Sequence, residues 1–523
     1  MFRAERLFFI IFLSEKGLIK RESTGKIMED RETVIKADKS ILITLLGYIL
    51  FVVYPLIFHD YYYDIVTCKF FAFIAITIFF LVTFFALKRD NKTDIDSNMH
   101  MEEKMVWLLF LINSISFFLS DYKLESLIGA EGRNNGMLTI GAYLVLYLCI
   151  TSEKIKKERI LIAVIIGSIP VSLFGIFNFI DIDLLGFYNG LSMQYKQFYM
   201  STLGHINVYS SYFSITLPVV LAFYLNEKRW RWKISLFIAS LINVVGLITS
   251  GCESAIIIIV VAVICNIIKN KEINVAKWYV LMVWALLLTK FLAMFNMNQN
   301  EKRQLSRFMV ILSSNHIVFG LIIVFGILFI IDMIKKSDKK NKIIKFMLLG
   351  LIFIIISAYL IVLFYFSVLD KKTELGKWSG FLRINDEFGS YRGYIWRIVI
   401  EEFKELSFVK KIFGVGPDVL YPLVYEKYGN EMYKVTNAYY DNAHNEILQY
   451  LITTGIAGVV TYISFLGVKV KRFISLKGQS ECNKIIMCSC ICYFIQSFVN
   501  INQVVTTPLF VIMLCMLNAK EET

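Results

Sequence analysis

The sequence predicts an all-α polytopic membrane protein, and three observations support that prediction. Hydrophobic residues make up 57% of the 523-residue chain, and the mean hydropathy of +0.61 is far above the range of soluble proteins. Aromatic residues account for 15% of the chain, and there are only six prolines. Apolar runs of the ~20 residues that cross a bilayer as a helix recur along the sequence.

About fourteen apolar runs fit membrane helices by length and composition. They are predicted near 41–58, 70–87, 105–120, 137–150, 159–180, 207–225, 233–250, 254–268, 277–294, 316–334, 345–369, 446–468, 484–500 and 504–518. Several of these runs are short for a crossing, so we expect about 12–14 transmembrane helices.

The loops between these runs alternate in charge. Lys and Arg are abundant in "ALKRDNK", "SEKIKKER", "NEKRWRWK", "KNKEINVAK", "KKSDKKNK" and "KVKRFISLK", but nearly absent from "FHDYYYD", "FIDIDLLGFYNG", "SGCE" and "NINQ". The positive-inside rule places the basic loops, and with them both termini, in the cytosol of a plasma or inner membrane protein. The same loops account for the net charge of +13, so no nucleic-acid partner is required.

This orientation divides the chain into five parts. Residues 1–40 form a cytoplasmic tail, 41–369 a helix bundle, 370–445 a large and partly helical extracellular loop, 446–518 the last helices and 519–523 a second cytoplasmic tail. We call residues 370–445 the outer segment. Within the first tail, "RLFFIIFL" is too short to span and has no small-residue cleavage site after it. Met28 opens a more ordinary polar lead, so we expect 1–27 to be a start-site artefact.

The cysteines and the helix centres argue against several other classes of protein. Most of the nine cysteines lie in or beside apolar runs, which predicts small buried hydrophobes rather than disulfides. The thiols of "CSCIC" are two residues apart, which directs neighbours to nearly opposite faces of a helix and away from one metal ion. The sequence has no matched pair of broken helices, which would indicate an inverted-repeat transporter. It also has no paired carboxylates at helix centres, which would indicate a proton relay.

Polar residues concentrate in the outer segment. After Ser390, a predicted N-cap, apolar residues recur at helical spacing and predict an amphipathic helix over the membrane surface. Arg392 and Trp396 are four residues apart and share a face of that helix. Farther along, "KKIFGVGPDVLYPLVYEKYG" predicts a turn at the Gly and Pro residues and a second short helix.

The stretch "NAYYDNAHNEILQYLITTGIAG" places a histidine at the start of a membrane helix. Asp441 or Asn442 is predicted to cap this helix near residue 446, which leaves His444 among backbone N–H groups without intrahelical partners. The positive end of the helix dipole disfavours imidazolium there, so His444 could accept a proton. The alternative interpretation is that these polar residues satisfy the helix end while His444 fills an interfacial gap.

Several stretches, taken in order, resemble the O-antigen ligase and Wzy-type polysaccharide polymerase family. The resemblance is closest in "YRGYIWRIVIEEFKELSFVKKIFGVGPDVL" and "NAHNEILQYLITTGIAGVVTYISFL". Earlier stretches are "GAEGRNNGML" around Arg133, "YMSTLGHINVYSSYF" around Gly204 and Asn207, and "LITSGCESAIII". Together they cover most of the chain from about residue 105. Members often carry an Arg in the last of these stretches, where this sequence has Cys252 and Glu253.

The resemblance implies a GT-C-like membrane glycosyltransferase that works without a cofactor. Its donor would be a glycan linked by pyrophosphate to a polyprenyl lipid in the bilayer, and its acceptor a sugar hydroxyl on another chain or an envelope anchor, with envelope-assembly proteins as further partners. Pyrophosphate is already a stable leaving group, so its charge must be neutralised, which guanidinium groups do by bidentate hydrogen bonds.

These requirements assign roles to particular residues. Arg392, with Arg133 or Arg397 nearby, would hold the pyrophosphate. His444 would orient or deprotonate the acceptor hydroxyl for in-line attack, with inversion at the anomeric carbon. Sugar contacts are expected from Trp396, Asn445 and Asn207. The corresponding alternatives are solvated arginines and, for Asn207, an ordinary helix-start residue.

Three other functions stay open at this stage. Asp181 and Asp183 form a D-x-D pair on a predicted outer loop, a pattern that holds Mg²⁺ or Mn²⁺ in other glycosyltransferases, although a solvated loop is favoured. A flippase for lipid-linked oligosaccharides would need basic groups along a central cavity. A receptor or scaffold would use the outer segment for binding alone. Between polymerase and ligase, the sequence favours a polymerase.

Overall fold

The structure is a computed structural model that describes residues 39–87, 100–269, 275–297, 338–475, 478–500 and 503–522, with short pieces between 314 and 327. Helices make up most of these residues. In chain order they are α1 (Lys39–Leu56), α2 (Ile65–Ala86), α3 (Met101–Leu119), α4 (Lys123–Ile128), α5 (Met137–Thr151), α6 (Lys157–Phe179), α7 (Met193–Lys196), α8 (Ile206–Asn226), α9 (Trp230–Thr249) and α10 (Ser254–Lys269).

The second half of the chain continues the helical pattern. Its helices are α11 (Val275–Met297), α12 (Asp338–Phe364), α13 (Ser379–Leu382), α14 (Phe388–Glu405), α15 (Phe408–Phe413), α16 (Leu420–Thr436), α17 (Glu446–Ser475), α18 (Glu481–Gln496) and α19 (Thr507–Asn518). Strands are confined to two short pairs within the described ranges. The parallel pair joins β1 (Lys154–Ile155) to β4 (Lys520–Glu521), and the antiparallel pair joins β2 (Tyr199–Met200) to β3 (Gly204–His205).

This architecture confirms the predicted all-α polytopic fold. Nine helices of the described ranges are long and apolar enough to cross a membrane, and α5, α10 and α19 are shorter apolar helices. The predicted run at 105–120 is helical as α3. The predicted helix at 316–334 and the tail at 1–27 fall wholly or largely outside the described residues.

Helix α8 forms the centre of the bundle. Of its most apolar window, 94% is buried inside the protein, and it packs against α6, α9, α10 and α18. By contrast, only 6% of the window Leu348–Leu369 is buried, so the end of α12 presents an apolar surface to its surroundings. Such a surface is expected of a helix that faces lipid.

Helix α17 is broken within the membrane-spanning part at Gly455, which has a φ of +70°. The break leaves carbonyl groups of the preceding turn available, and two backbone N–H groups of the outer segment use them. Val415 N–H donates to the Ile452 carbonyl oxygen, and Gly416 N–H donates to that of Thr453, both at 3.1 Å. We call residues 414–416 the G-V-G turn. This turn and the break in α17 therefore form one structural unit.

Two glycines make this close approach possible. A side chain on Gly414 would collide with the Thr453 carbonyl group, and one on Gly455 would collide with that of Ile412. Both glycines also have positive φ angles, which disfavour any residue with a Cβ. The contact fixes the turn of the outer segment against α17.

The outer segment has its own hydrophobic core above α17. Apolar residues of α14, α16 and the turn between them form it: Tyr394, Ile395, Ile398, Val399, Val415, Val419, Leu420, Val424 and Met432. The predicted amphipathic helix is thus confirmed, but Ser390 is not its N-cap. Gly389, Ser390 and Tyr391 have positive φ angles, so the regular part of α14 begins only at Arg392.

Candidate functional site

The candidate site lies where the outer segment meets the membrane helices. Four pieces of the chain come together there: the loop 129–136 between α4 and α5, the turn 201–205 before α8, the start of α14, and residues 437–445. Charged groups from these pieces interact electrostatically with one another. The site is therefore assembled from residues that are far apart in sequence.

His444 occupies the last turn before α17 and has a φ of +45°. Its backbone N–H donates to Asn442 Oδ1 at 2.8 Å, which closes a local turn of the kind that asparagine favours. Asn445 Oδ1 accepts from the Leu448 N–H at 3.1 Å. Asn445 is therefore the N-cap of α17, and the prediction that Asp441 or Asn442 caps this helix is wrong.

Two hydrogen bonds fasten the His444 turn to the start of α14. Trp396 Nε1 donates to the Ala443 carbonyl oxygen at 2.9 Å, and the Tyr440 hydroxyl donates to the Ser390 carbonyl oxygen at 2.8 Å. The Tyr440 ring also packs edge-on against His444, with centroids 5.6 Å apart. Trp396 thus fastens the chain beside His444, and its contact with sugar stays a prediction.

Arg392 lies at the start of the regular part of α14. Its Nη1 donates to the Gly389 carbonyl oxygen at 2.8 Å. Its Nε is buried and has no hydrogen-bond partner among the described residues, and no described carboxylate forms an ion pair with it. A buried guanidinium N–H without a partner is costly, so this group is suited to an anionic ligand.

Arg133, from the loop before α5, forms a bidentate ion pair with Asp441. Burial alone would raise the pKa of Asp441, but the charge of Arg133 and its hydrogen bonds hold that pKa below the usual value. The pair links the loop to the chain just before His444. Arg133 therefore reaches the predicted site, although it uses part of its hydrogen-bonding capacity on Asp441.

Asp418 is a residue that the sequence reasoning did not single out. Its Oδ2 accepts from the N–H groups of Ala130 and Asn135, at 3.0 and 2.9 Å, so it holds the Arg133 loop against the G-V-G turn. Burial raises the pKa of Asp418 to about 7. The only signal in the sequence was its position after Gly416 and Pro417, and that does not identify its partner loop.

His205 is a second residue that sequence reasoning missed, although it stands within the quoted stretch "YMSTLGHINVYSSYF". Its Nδ1 accepts from the Asn207 N–H at 3.2 Å and so caps α8. Burial lowers the pKa of His205 to about 4, and the charge of Arg133 contributes in the same direction. Its placement before a membrane helix repeats that of His444 and could have indicated it.

The electrostatics of the site keep His444 neutral. Burial lowers its pKa well below the ordinary value, and the charges of Arg392 and Arg133 lower it further, against the opposing effect of Asp441. Its Nδ1 is buried and has no hydrogen-bond partner among the described residues. An uncharged imidazole with a free ring nitrogen can accept a proton from a ligand hydroxyl.

Residues 304–463 match the family model of the O-antigen ligases. This region of the chain is therefore similar to the O-antigen ligase family. A search of curated proteins finds no match to this chain.

The match to the O-antigen ligase family covers only part of the site. Arg392, Trp396, Asp418, Asp441 and His444 fall inside the matched range. The remaining groups, Arg133 and His205, come from earlier parts of the chain. The matched region is thus completed by loops of the preceding helix bundle.

Arg397 occupies a different environment from Arg392 in the O-antigen ligase region. Its guanidinium lies 3.0 Å from Asp386, 3.4 Å from Glu401 and 3.6 Å from Glu431. These carboxylates raise its pKa further and compensate its charge. Arg397 therefore fastens α14 within the outer segment and has little charge left for a phosphate group.

Asn207 lies in a buried polar network between α8, α10 and α18. Its Oδ1 accepts from Cys252 Sγ at 3.3 Å, and its carbonyl oxygen accepts from Asn500 Nδ2 at 2.6 Å. Ser210 and Ser254 join the same network through their hydroxyl groups, 2.8 Å apart. This placement matches the helix-start alternative for Asn207 and puts Cys252 in a structural role.

A cavity with about 170 Å³ of free space extends from the edge of the site into the bundle. Its outer end is polar and includes Arg133, Asp418, Asn442 and Glu446, whereas Arg392 and His444 do not line it. Deeper, its walls are mostly apolar side chains of α3, α5, α17 and α19. Along α17 the lining residues continue past the break at Gly455 to Phe465.

The D-x-D pair has a local structural role. The carboxylate of Asp183 accepts from the N–H groups of Phe187 and Tyr188, at 2.9 and 2.7 Å, so it closes the loop that follows α6. Across the described ranges, no group of three or more His, Cys, Asp or Glu side chains could hold a metal ion.

Proposed function

We propose that this protein transfers a glycan from a polyprenyl pyrophosphate carrier to a sugar hydroxyl on the outer face of the membrane, as a polysaccharide polymerase. The match of residues 304–463 to the O-antigen ligase family supports a glycosyl-transferring enzyme. One observation supports the proposed chemistry above others. In the part of the chain that the structure describes, Arg392 Nε and His444 Nδ1 are both buried and have no hydrogen-bond partner, which suits a ligand with an anion and a hydroxyl group.

In this proposal Arg392 binds the pyrophosphate, and Arg133 adds its charge from the other side. The acceptor oxygen bonds to the anomeric carbon while the bond from that carbon to the pyrophosphate oxygen breaks. The electron pair stays on the pyrophosphate, where guanidinium groups stabilise it. The hydroxyl proton passes to His444, and attack opposite the leaving group inverts the anomeric centre.

The charges around His444 give the donor a second role. Without a ligand, Arg392 and Arg133 hold the pKa of His444 low, which makes it a weak base. A pyrophosphate bound between the two arginines would offset their charges and raise that pKa. His444 would then become an effective base only when the donor is in place, which disfavours proton transfer in its absence.

The cavity below the site supports a lipid-linked donor. Its polar outer end would receive the pyrophosphate, and its apolar walls would accommodate the first isoprene units of the carrier. In this metal-independent mechanism, guanidinium groups alone neutralise the charge of the pyrophosphate. A chelator should therefore leave transfer unchanged.

A ligase is the second candidate, because the matching family model is described as O-antigen ligase. A ligase would use the same donor, arginine and histidine, but would attach the glycan to a lipid, wall-polymer or protein anchor. The two functions differ in their acceptors and therefore in their products. Polymerisation yields a ladder of repeat lengths, whereas ligation yields one addition per anchor.

The test uses the strain that carries this gene and membranes that contain its lipid-linked glycan. We expect His444→Ala and Arg392→Ala to abolish chain growth on gels, while the protein level in the membrane stays at the wild-type value. His59→Ala and Arg229→Ala serve as controls, because both side chains form exposed ion pairs away from the site. Wild-type product lengths in both site variants would refute the proposal.

A further inference from the structure

Four tyrosine rings of the outer segment form a continuous row. Tyr421 packs against Tyr425 with ring centroids 5.2 Å apart, Tyr425 against Tyr439 at 5.4 Å, and Tyr439 against Tyr433 at 5.4 Å. The last pair is stacked, with an angle of 26° between the rings. We call Tyr421, Tyr425, Tyr439 and Tyr433 the tyrosine row.

The row is exposed although its residues are large and aromatic. Tyr425, Tyr433 and Tyr439 each keep 45–50% of their surface accessible. Other residues of α16, including Val424 and Met432, are buried in the core of the outer segment. The row is therefore additional to that core, and a contiguous exposed patch of this kind marks a binding surface.

The inner end of the row reaches the candidate site. Tyr439 stands two residues before Asp441, the ion-pair partner of Arg133. Burial and the neighbouring tyrosines raise the pKa of Tyr421, and the charge of Asp441 contributes to the same effect. The row thus leads from the site outward along α16.

Charged groups lie beside and behind the row on α16. Glu426, Lys427, Glu431 and Lys434 are all exposed on this helix, and Lys427 and Glu431 form ion pairs with residues of α14. A helix with this many exposed charges does not lie among lipid chains. The row itself offers flat apolar rings and phenol hydroxyl groups, so it fits an occupant that combines a flat apolar face with polar groups, which describes a carbohydrate ring.

We propose that the tyrosine row is a binding track for the glycan chain as it enters or leaves the site. The C–H face of each sugar ring would pack on a tyrosine ring, and the phenol groups would bond to sugar hydroxyls. Several weak contacts along one chain raise its effective concentration at His444. This inference rests on the proposed transfer function and extends it to the polymer.

The experiment measures the length of the native polysaccharide in the strain that carries this gene. We expect Tyr425→Ala/Tyr433→Ala to shift the product toward shorter chains at an unchanged protein level. Tyr425→Phe/Tyr433→Phe keeps the ring faces and should preserve most of the length. Trp378→Ala is the control, because this exposed aromatic residue of the outer segment lies outside the row.

A leucine variant separates a sugar track from a lipid contact. Tyr425→Leu/Tyr433→Leu keeps apolar surface but loses the flat ring, so a sugar track predicts short chains, as with alanine. Wild-type chain length in either the leucine or the alanine variant would overturn the inference. Unchanged polysaccharide in His444→Ala would instead refute the transfer function, and the inference with it.

Discussion

At the scale of single residues, the decisive feature is the neutral state of His444. An ordinary histidine is half protonated near pH 6.5. Here burial, Arg392 and Arg133 lower the pKa of His444 well below that value, so the folded protein keeps the ring uncharged as the pH falls through 6.5. The side chain is therefore uncharged over the whole neutral range.

We expect the reactivity of His444 toward diethyl pyrocarbonate to persist at pH 6, because this reagent modifies uncharged imidazole. Arg392→Gln removes a positive charge, so the pKa of His444 should rise and the labelled fraction at pH 6 should fall. Mass spectrometry of the modified peptide measures both. Exposed His59 serves as the internal reference. A midpoint near 6.5 for His444 in the wild type would contradict the neutral state.

The ion pair between Arg133 and Asp441 gives a stability prediction. Removing one partner leaves the other charge in a mostly buried position, which costs roughly 3–5 kcal/mol in fully buried pairs. Asp441 keeps 33% of its side chain exposed, so the cost of Arg133→Gln should fall at the low end of that range. Thermal unfolding in detergent measures the change. Arg133→Gln/Asp441→Asn should recover part of the lost stability, and no recovery would count against the pair.

The site could be predicted from the sequence only in part. His444 and Arg392 can be singled out because both stand in stretches that resemble the O-antigen ligase and Wzy-type family, although they are far apart in the sequence. The structure brings Arg392 and Arg133 close enough to act electrostatically on His444. Asp418 and His205 were missed because their importance depends on contacts with other segments, which spacing does not reveal. From the sequence alone, Arg397 looks equivalent to Arg392. The carboxylates that neutralise it belong to Asp386, Glu401 and Glu431, and the spacing of these residues does not reveal that all three meet Arg397.

At the scale of secondary structure elements, the break in α17 connects the outer segment to the membrane. The apolar run at 446–468 predicts one unbroken helix, although it contains Gly455 and Gly458. What the sequence did not indicate is the use of the released carbonyl groups, which accept from Val415 and Gly416. Backbone groups of a membrane helix can leave the helical hydrogen-bond pattern only where other groups take the place of their helical partners.

Gly455→Ala should destabilise the protein strongly. Gly455 has a φ of +70° and a ψ of −171°, a region almost restricted to glycine that costs of order 1–3 kcal/mol for a residue with a Cβ. The new methyl group would also meet the Ile412 carbonyl group. Gly467→Ala is the matched control on the same helix, because nothing lies within 4 Å of its added carbon. Thermal unfolding of both variants in detergent should show a large loss for the first and little change for the second. Equal melting temperatures would mean that the break does not hold the turn.

At the scale of the whole molecule, the membrane orientation decides whether the site can meet an outer-face acceptor. The helical bundle could be predicted from composition alone, because the hydropathy of each apolar run does not depend on contacts with distant segments. The orientation of the protein in the membrane is predicted from the charge of its loops. This orientation determines on which side of the membrane the site lies. The outer segment and the basic loop after α8 are expected on opposite sides.

Cysteine labelling tests this orientation in intact cells. We introduce Asn437→Cys in the outer segment or Lys228→Cys after α8, both at exposed positions. A membrane-impermeant maleimide should label residue 437 directly, and residue 228 only after permeabilisation. The wild-type protein gives the background from its nine cysteines. Labelling in the reverse order would place His444 in the cytosol and remove the basis of the proposed function.

The hydrogen bonds that join the G-V-G turn to the break in α17 also bear on how this protein can be re-engineered. A graft that exchanges only residues 370–445 between two such enzymes would separate the turn from the half-helix that receives it. The transplantable unit extends past Gly455, so specificity and anchoring would have to be inherited together.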